Sequence, residues 1–173
     1  MPKTPFYASG LRFSCVRCSS CCRHESGFVF LCEEDLELLT GKLNMDYSIF
    51  VKIYCRWVPG EGGEEYLSLR EKPNFDCIFW DSVCTVYNAR PQQCRTFPFW
   101  KSVVNSREAW ESTASGCPGM NSGKLHDIES IESCLTVQPK IKKVKFGEYP
   151  KYRNPPAGAE VPLRILEQAT RGK

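Results

Sequence analysis

Four cysteines fall within eight residues, Cys15, Cys18, Cys21 and Cys22, as C-V-R-C-S-S-C-C. The C-x2-C-x2-C spacing lets three thiolates reach one point while loop amides donate to sulfur, which suits a metal ion or an iron–sulfur cluster. Cys22 is a different problem, because adjacent side chains diverge on a strand or a helix. It either serves a second centre or is a structural thiol. Cys77 and Cys84 flank Asp81-Ser82. If that pair is a two-residue turn, Phe79 faces Cys84 and the two sulfurs become diagonal neighbours, about 7 Å apart at the backbone. A register change of one residue would part them. Cys94 follows Arg90-Pro91, and Cys117 lies in Gly116-Cys-Pro-Gly119. A remote Cys-Pro also completes ferredoxin-type clusters. The candidate ligands are therefore Cys15, Cys18, Cys21, Cys22, Cys77, Cys84, Cys94 and Cys117. Eight thiolates would complete two four-sulfur sites, or make one cluster with several further thiols. Cys32, at a helix-cap position, Cys55, after an apolar helix, and Cys134 read as structural thiols.

The chain around them is of ordinary globular composition, 42% hydrophobic and 25% charged in 173 residues. No stretch approaches the roughly 18 apolar residues of a membrane span, and Met1 to Phe13 holds no run like that of a signal peptide. The expected location is the cytoplasm, where thiols stay reduced. That setting and the odd count of eleven cysteines favour metal over disulfides. The net charge of +3 gives no case for nucleic acid. From Lys140 onward, however, nine Lys/Arg meet three Asp/Glu. A basic tail of this kind could contact a protein partner.

The elements expected to position the thiols are short. Glu33 to Leu43 has Leu36, Leu39 and Leu43 at helical spacing, acids in its first turn and Gly41 as a stop. Asp46 to Tyr54 predicts a second helix with Ile49, Phe50 and Ile53 inward. Gly27 to Leu31, Arg56 to Val58, Glu65 to Arg70, Cys77 to Trp80 and Cys84 to Tyr87 predict strands, with Pro59 to Gly63 as a hairpin loop. Pro91 opens a short helix, and Trp110 to Ser112 and Asp127 to Leu135 carry weaker helical patterns. Ser14 to His24 reads as a loop. Val161 to Thr170 offers one more helix. The expectation is an α+β fold: a small domain of short helices and short antiparallel strands around a cysteine-rich metal centre over residues 1–138, then an extended basic, Pro-containing tail over 139–173.

Cys15-x2-Cys18-x2-Cys21-Cys22, then Cys77-x6-Cys84-x2-Tyr87-x2-Arg90-Pro91-x2-Cys94-Arg95-x-Phe97-Pro98, then Cys117, resemble the YkgJ-type cysteine-cluster family. The resemblance spans about two-thirds of the chain and implies a CxxCxxCC domain that chelates zinc or iron, often as an iron–sulfur cluster with a redox role. Two alternatives stand beside it. One is a zinc-stapled module for protein interaction. The other is an enzyme or accessory in protein methylation, since a larger relative with this motif methylates flagellin lysines. This chain has no Gly-rich nucleotide fingerprint. Whether the protein is an enzyme stays open. His24 is expected beside the centre rather than in it, His126-Asp127 makes a poor hydrolase dyad, and Phe97, Phe99 and Trp100 read as core.

Overall fold

A computed structural model describes residues 4–137 and 142–147. In chain order the elements are β1 (Leu11–Phe13), α1 (Glu33–Leu43), α2 (Tyr47–Tyr54), β2 (Cys55–Pro59), β3 (Glu65–Leu69), β4 (Trp80–Asp81), β5 (Val83–Cys84), α3 (Gln92–Thr96), α4 (Lys101–Val104), α5 (Arg107–Ala114), β6 (Met120–His126) and α6 (Ile128–Val137). The strands form antiparallel pairs, β1 with β6, β2 with β3 and β4 with β5. The fold is α+β, as the sequence predicts. The tail helix expected over Val161 to Thr170 lies outside the described residues. The chain divides into two compact units, each assembled from two separate stretches: Met1–Cys21 with Arg95–Ile141, and Cys22–Cys94 with Lys142–Lys173.

The unit beginning at Cys22 is built on α1 and α2. Glu33, Glu34 and Asp35 sit in the first turn of α1, where the helix dipole favours negative charge. Asp35 also accepts the N–H of Cys32 at 3.2 Å, so Cys32 is the cap residue that its position suggests. The helix runs past Gly41 and ends where Asn44 takes φ 49°. Asn tolerates that left-handed conformation, so it makes the stop assigned to Gly41. Asp46 caps α2 by accepting the N–H of Ser48 at 2.8 Å. Leu36, Leu39 and Phe50 are fully buried with Leu31, Leu67 and Val144. Each such side chain contributes about 1.5–3 kcal/mol by leaving water. The β2–β3 hairpin pairs Cys55 with Leu69 and Pro59 with Glu65 around the expected Gly-rich loop. The segment expected as a strand at Gly27 to Leu31 is reduced to a bridge, Phe30 opposite Ser68.

Residues 142–147, read from sequence as tail, complete this unit. The Val144 N–H donates to the Leu31 carbonyl and its own carbonyl accepts from Leu67, both at 2.9 Å. Lys143 lies over the Phe30 ring at 4.0 Å, and Lys145 pairs with Glu64.

The other unit contains two elements the sequence hides. β1 is only three residues long, and β6 reads M-N-S-G-K-L-H, without alternating apolar positions. Their ladder pairs Leu11 with His126, Arg12 with Leu125 and, after a bulge, Phe13 with Met120. Trp110 on α5 is buried and stacks on Phe99, with ring centres 6.1 Å apart. Its indole N–H donates to Asn121 at 2.7 Å. Ser106 caps α5 and Asp127 accepts from Ser130 at the start of α6. His126 reaches the Phe13 carbonyl at 3.0 Å, which makes it part of the ladder rather than of a dyad.

Candidate metal centre

All eleven cysteines are thiols rather than cystines, and exposure sorts them. Cys32 and Cys55, set aside from the ligand set, are the two buried ones. Burial pushes Cys32 up to about 12 and raises Cys55 as well. A thiol held protonated this way is a poor ligand and a poor nucleophile. Cys134 is half-buried against its core, and burial raises it too. Cys15, Cys18 and Cys21 are exposed, and Cys22, Cys77, Cys84, Cys94 and Cys117 are intermediate.

In the first unit the β1–β6 ladder places the cysteine stretches. β1 runs straight into Ser14 and Cys15, while β6 starts just after Cys117, and antiparallel pairing sets these ends side by side. The Ser14 N–H donates to the Gly119 carbonyl at 3.0 Å, and Ser14 Oγ accepts the Lys124 N–H at 3.0 Å. A Cβ on Gly119 would run into the Ser14 carbonyl, so this approach requires glycine. Burial raises the Cys117 thiol, the charges of Cys18 and Cys21 raise it further, and the N–H groups of Gly119 and Met120 act in the opposite sense. The Met120 N–H donates to the Cys117 carbonyl at 3.0 Å, closing the turn between Cys117 and β6.

In the second unit the Cys77 N–H donates to the Cys22 carbonyl at 2.8 Å, which joins those two stretches through the main chain. The expected strand at Cys77 to Trp80 is instead a turn, with the Trp80 N–H on the Cys77 carbonyl at 2.8 Å. The hairpin that follows pairs Trp80 with Cys84 and Asp81 with Val83 about Ser82, which takes φ 60°. The register is one residue away from the two-residue turn expected, and the turn at Cys77 removes the period-2 argument for facing sulfurs. Arg23 stacks on Trp80 at 3.6 Å and pairs with Asp76 at 3.0 Å. Burial acts to raise the Asp76 carboxyl, but hydrogen bonds from Arg23 and Asn74 hold it below the usual range. The Trp80 indole N–H is buried without a partner among the described residues. Cys94 rides on α3, whose Gln92 N–H donates to Asp35 at 2.7 Å. Gln93 accepts from Phe30 and donates to Phe28, at 3.1 and 2.7 Å. The flanking cations are partly engaged elsewhere, Arg12 on the Gly123 carbonyl and Arg90 on that of Tyr87.

Among the described residues, seven non-glycine positions take left-handed φ. Asn44 is the α1 cap. The other six, Arg17, Ser19, His24, Phe75, Ser82 and Asn121, lie within four residues of a candidate ligand. At Arg17, Ser19, Phe75 and Ser82 such a conformation costs about 1–3 kcal/mol and persists where something else fixes the backbone, while Asn121 and His24 are of types that adopt it more readily.

Residues 14–118, more than half of the chain, match the CxxCxxCC family model, described as a "Putative zinc- or iron-chelating domain". The chain belongs to the CxxCxxCC family. All eight candidate ligands fall inside the matched region and Cys134 falls outside it. No solved structure matches the chain significantly. Among the described residues no three Cys, His, Asp or Glu side chains are gathered into a group that could hold a metal ion. In chemistry the donor set fits zinc or iron: soft thiols, and a buried indole donor on the residue paired with Cys84. No described helix is long and apolar enough to cross a membrane.

Proposed function

We propose that this protein holds an iron–sulfur cluster or zinc through Cys15, Cys18, Cys21, Cys22, Cys77, Cys84, Cys94 and Cys117, in the cytoplasm and with a redox role. The observation that carries the reading is the backbone. Six left-handed non-glycine residues attend the candidate ligand segments. This is the pattern of loops shaped by what they bind rather than by their own preferences. C-x2-C-x2-C with Cys117-Pro118 supports iron–sulfur over zinc. Because the ligands come from stretches that only folding brings near one another, metal binding would add its free energy to that of folding.

The test is anaerobic purification of the full chain, followed by elemental analysis and visible absorption. Iron with sulfide and broad absorption supports the iron–sulfur form. A colourless protein with stoichiometric zinc overturns that half and supports the zinc-stapled module, in which metal only holds the fold. Absence of both metals overturns the whole reading. In either form the basic tail is the surface for a protein partner. Lys143 and Lys145 are engaged within their own unit, so the contact with an acidic partner is assigned to the cations from Lys151 onward.

A further inference from the structure

We infer that the chain builds two thiolate centres, Cys15, Cys18, Cys21 and Cys117 serving one and Cys22, Cys77, Cys84 and Cys94 the other. The inference rests on the metal reading above and adds the allocation of ligands.

The partition of the fold carries it. The boundary between the two compact units passes between Cys21 and Cys22, and again directly after Cys94. It divides the eight candidate ligands four and four. Four thiolates are the complement of a closed zinc site or of one cluster. The boundary also answers the problem of the neighbouring pair, whose side chains diverge and suit two centres better than one.

Each set has its own scaffold. In the first, the β1–β6 ladder and the Ser14–Gly119 hydrogen bond bring the Cys15 stretch beside Cys117. In the second, the Cys77–Cys22 main-chain bond, the turn from Cys77 to Trp80 and the Trp80–Cys84 pair form a continuous chain of contacts. Gln92 and Gln93 tie the start of the Cys94 helix to Asp35, Phe30 and Phe28, on the segment that follows Cys22. A single four-thiolate centre would leave one of these scaffolds with no ligand to position.

Thiol alkylation mapped by mass spectrometry tests this without assuming the metal. The full chain is loaded with zinc or, separately, reconstituted with iron and sulfide, then compared with chelator-stripped protein. In the wild type all eight thiols should react at least tenfold more slowly when loaded. Cys21→Ser should return Cys15, Cys18 and Cys117 to the stripped rate and leave Cys22, Cys77, Cys84 and Cys94 protected. Cys22→Ser should do the reverse. Cys117→Ser and Cys94→Ser repeat the comparison at positions distant in sequence. Slow reaction of Cys32 and Cys55, with an unchanged far-ultraviolet circular dichroism spectrum, separates a lost centre from a lost fold. If one substitution exposes ligands of both sets, or exposes none of its own set, the two-centre inference is overturned and the metal reading survives. If loading protects nothing in the wild type, the metal reading itself fails.

Discussion

Gly119→Ala, set against Gly116→Ala, tests whether backbone approach positions the first cysteine set. The two glycines flank Cys117 at similar distance in sequence but meet different surroundings. A Cβ on Gly116 would find only the Thr113 carbonyl at 3.8 Å, an ordinary contact. A Cβ on Gly119 would run into the Ser14 carbonyl oxygen, with Ser14 C at 3.2 Å and the Phe13 ring at 3.4 Å. Since the first two are backbone atoms, no rotamer change can relieve the clash. Overpacking of this sort costs about 1–3 kcal/mol. Parting Ser14 from Gly119 also breaks their hydrogen bond, worth about 0.5–1.5 kcal/mol. Gly119→Ala should therefore destabilise by about 1.5–4.5 kcal/mol in urea unfolding followed by tryptophan emission, and Gly116→Ala by under about 0.5 kcal/mol. Metal protection of Cys15 and Cys117 should fall in the first variant and hold in the second. Equal losses of stability, or undiminished protection in Gly119→Ala, would refute the role given to this contact.

Other expectations follow from groups already described. Arg23→Gln removes the partner that keeps the Asp76 carboxyl below its ordinary 3.8. Stability from a lowered carboxyl is present above that value and lost as pH falls through the folded one. The gap in melting temperature between wild type and variant should therefore be widest near neutrality and close in acid. Tyr7 is raised from 10.0 to about 12 by burial and by Glu132, whose carboxylate accepts its hydroxyl at 2.7 Å. It stabilises the fold below pH 10 and ceases to between pH 10 and about 12, so Tyr7→Phe should flatten the alkaline limb of a stability profile. In metal-stripped native protein, Cys32 and Cys55 should alkylate at least about a hundredfold more slowly than Cys15, because one is held protonated near 12, the other is raised by burial and both are out of reach. Comparable rates would mean that their burial is not maintained in solution.

Legibility in the sequence followed the strength of the local signal. α1 and α2 were readable because leucine spacing, first-turn acids and an Asp cap all agree. The β2–β3 hairpin was readable from its Gly-rich loop. The Cys77–Cys84 register was not, because a turn with Ser82 at positive φ replaced the two-residue loop, and serine gives little warning of that conformation. β1 and β6 were illegible for another reason. A three-residue strand has no period to measure, and Asn121, Ser122 and Gly123 are turn formers held in a ladder by tertiary pairing. Among the thiols, setting Cys32 and Cys55 apart from the rest was legible from their place at helix ends. The four-and-four division was not, because it depends on where the chain closes into two units.

That closure has a consequence for synthesis. The unit from Cys22 to Cys94 is interposed in the middle of the other, so Cys15, Cys18 and Cys21 leave the ribosome about a hundred residues before Cys117 exists. At about 5–20 residues per second the delay is roughly 5–20 s. Through that interval three accessible sulfurs wait on a nascent chain without their fourth companion, and the other unit, whose core needs Val144, is not complete until later still. The order of translation thus leaves the amino-terminal thiols as the stretch most open to oxidation or stray metal at birth.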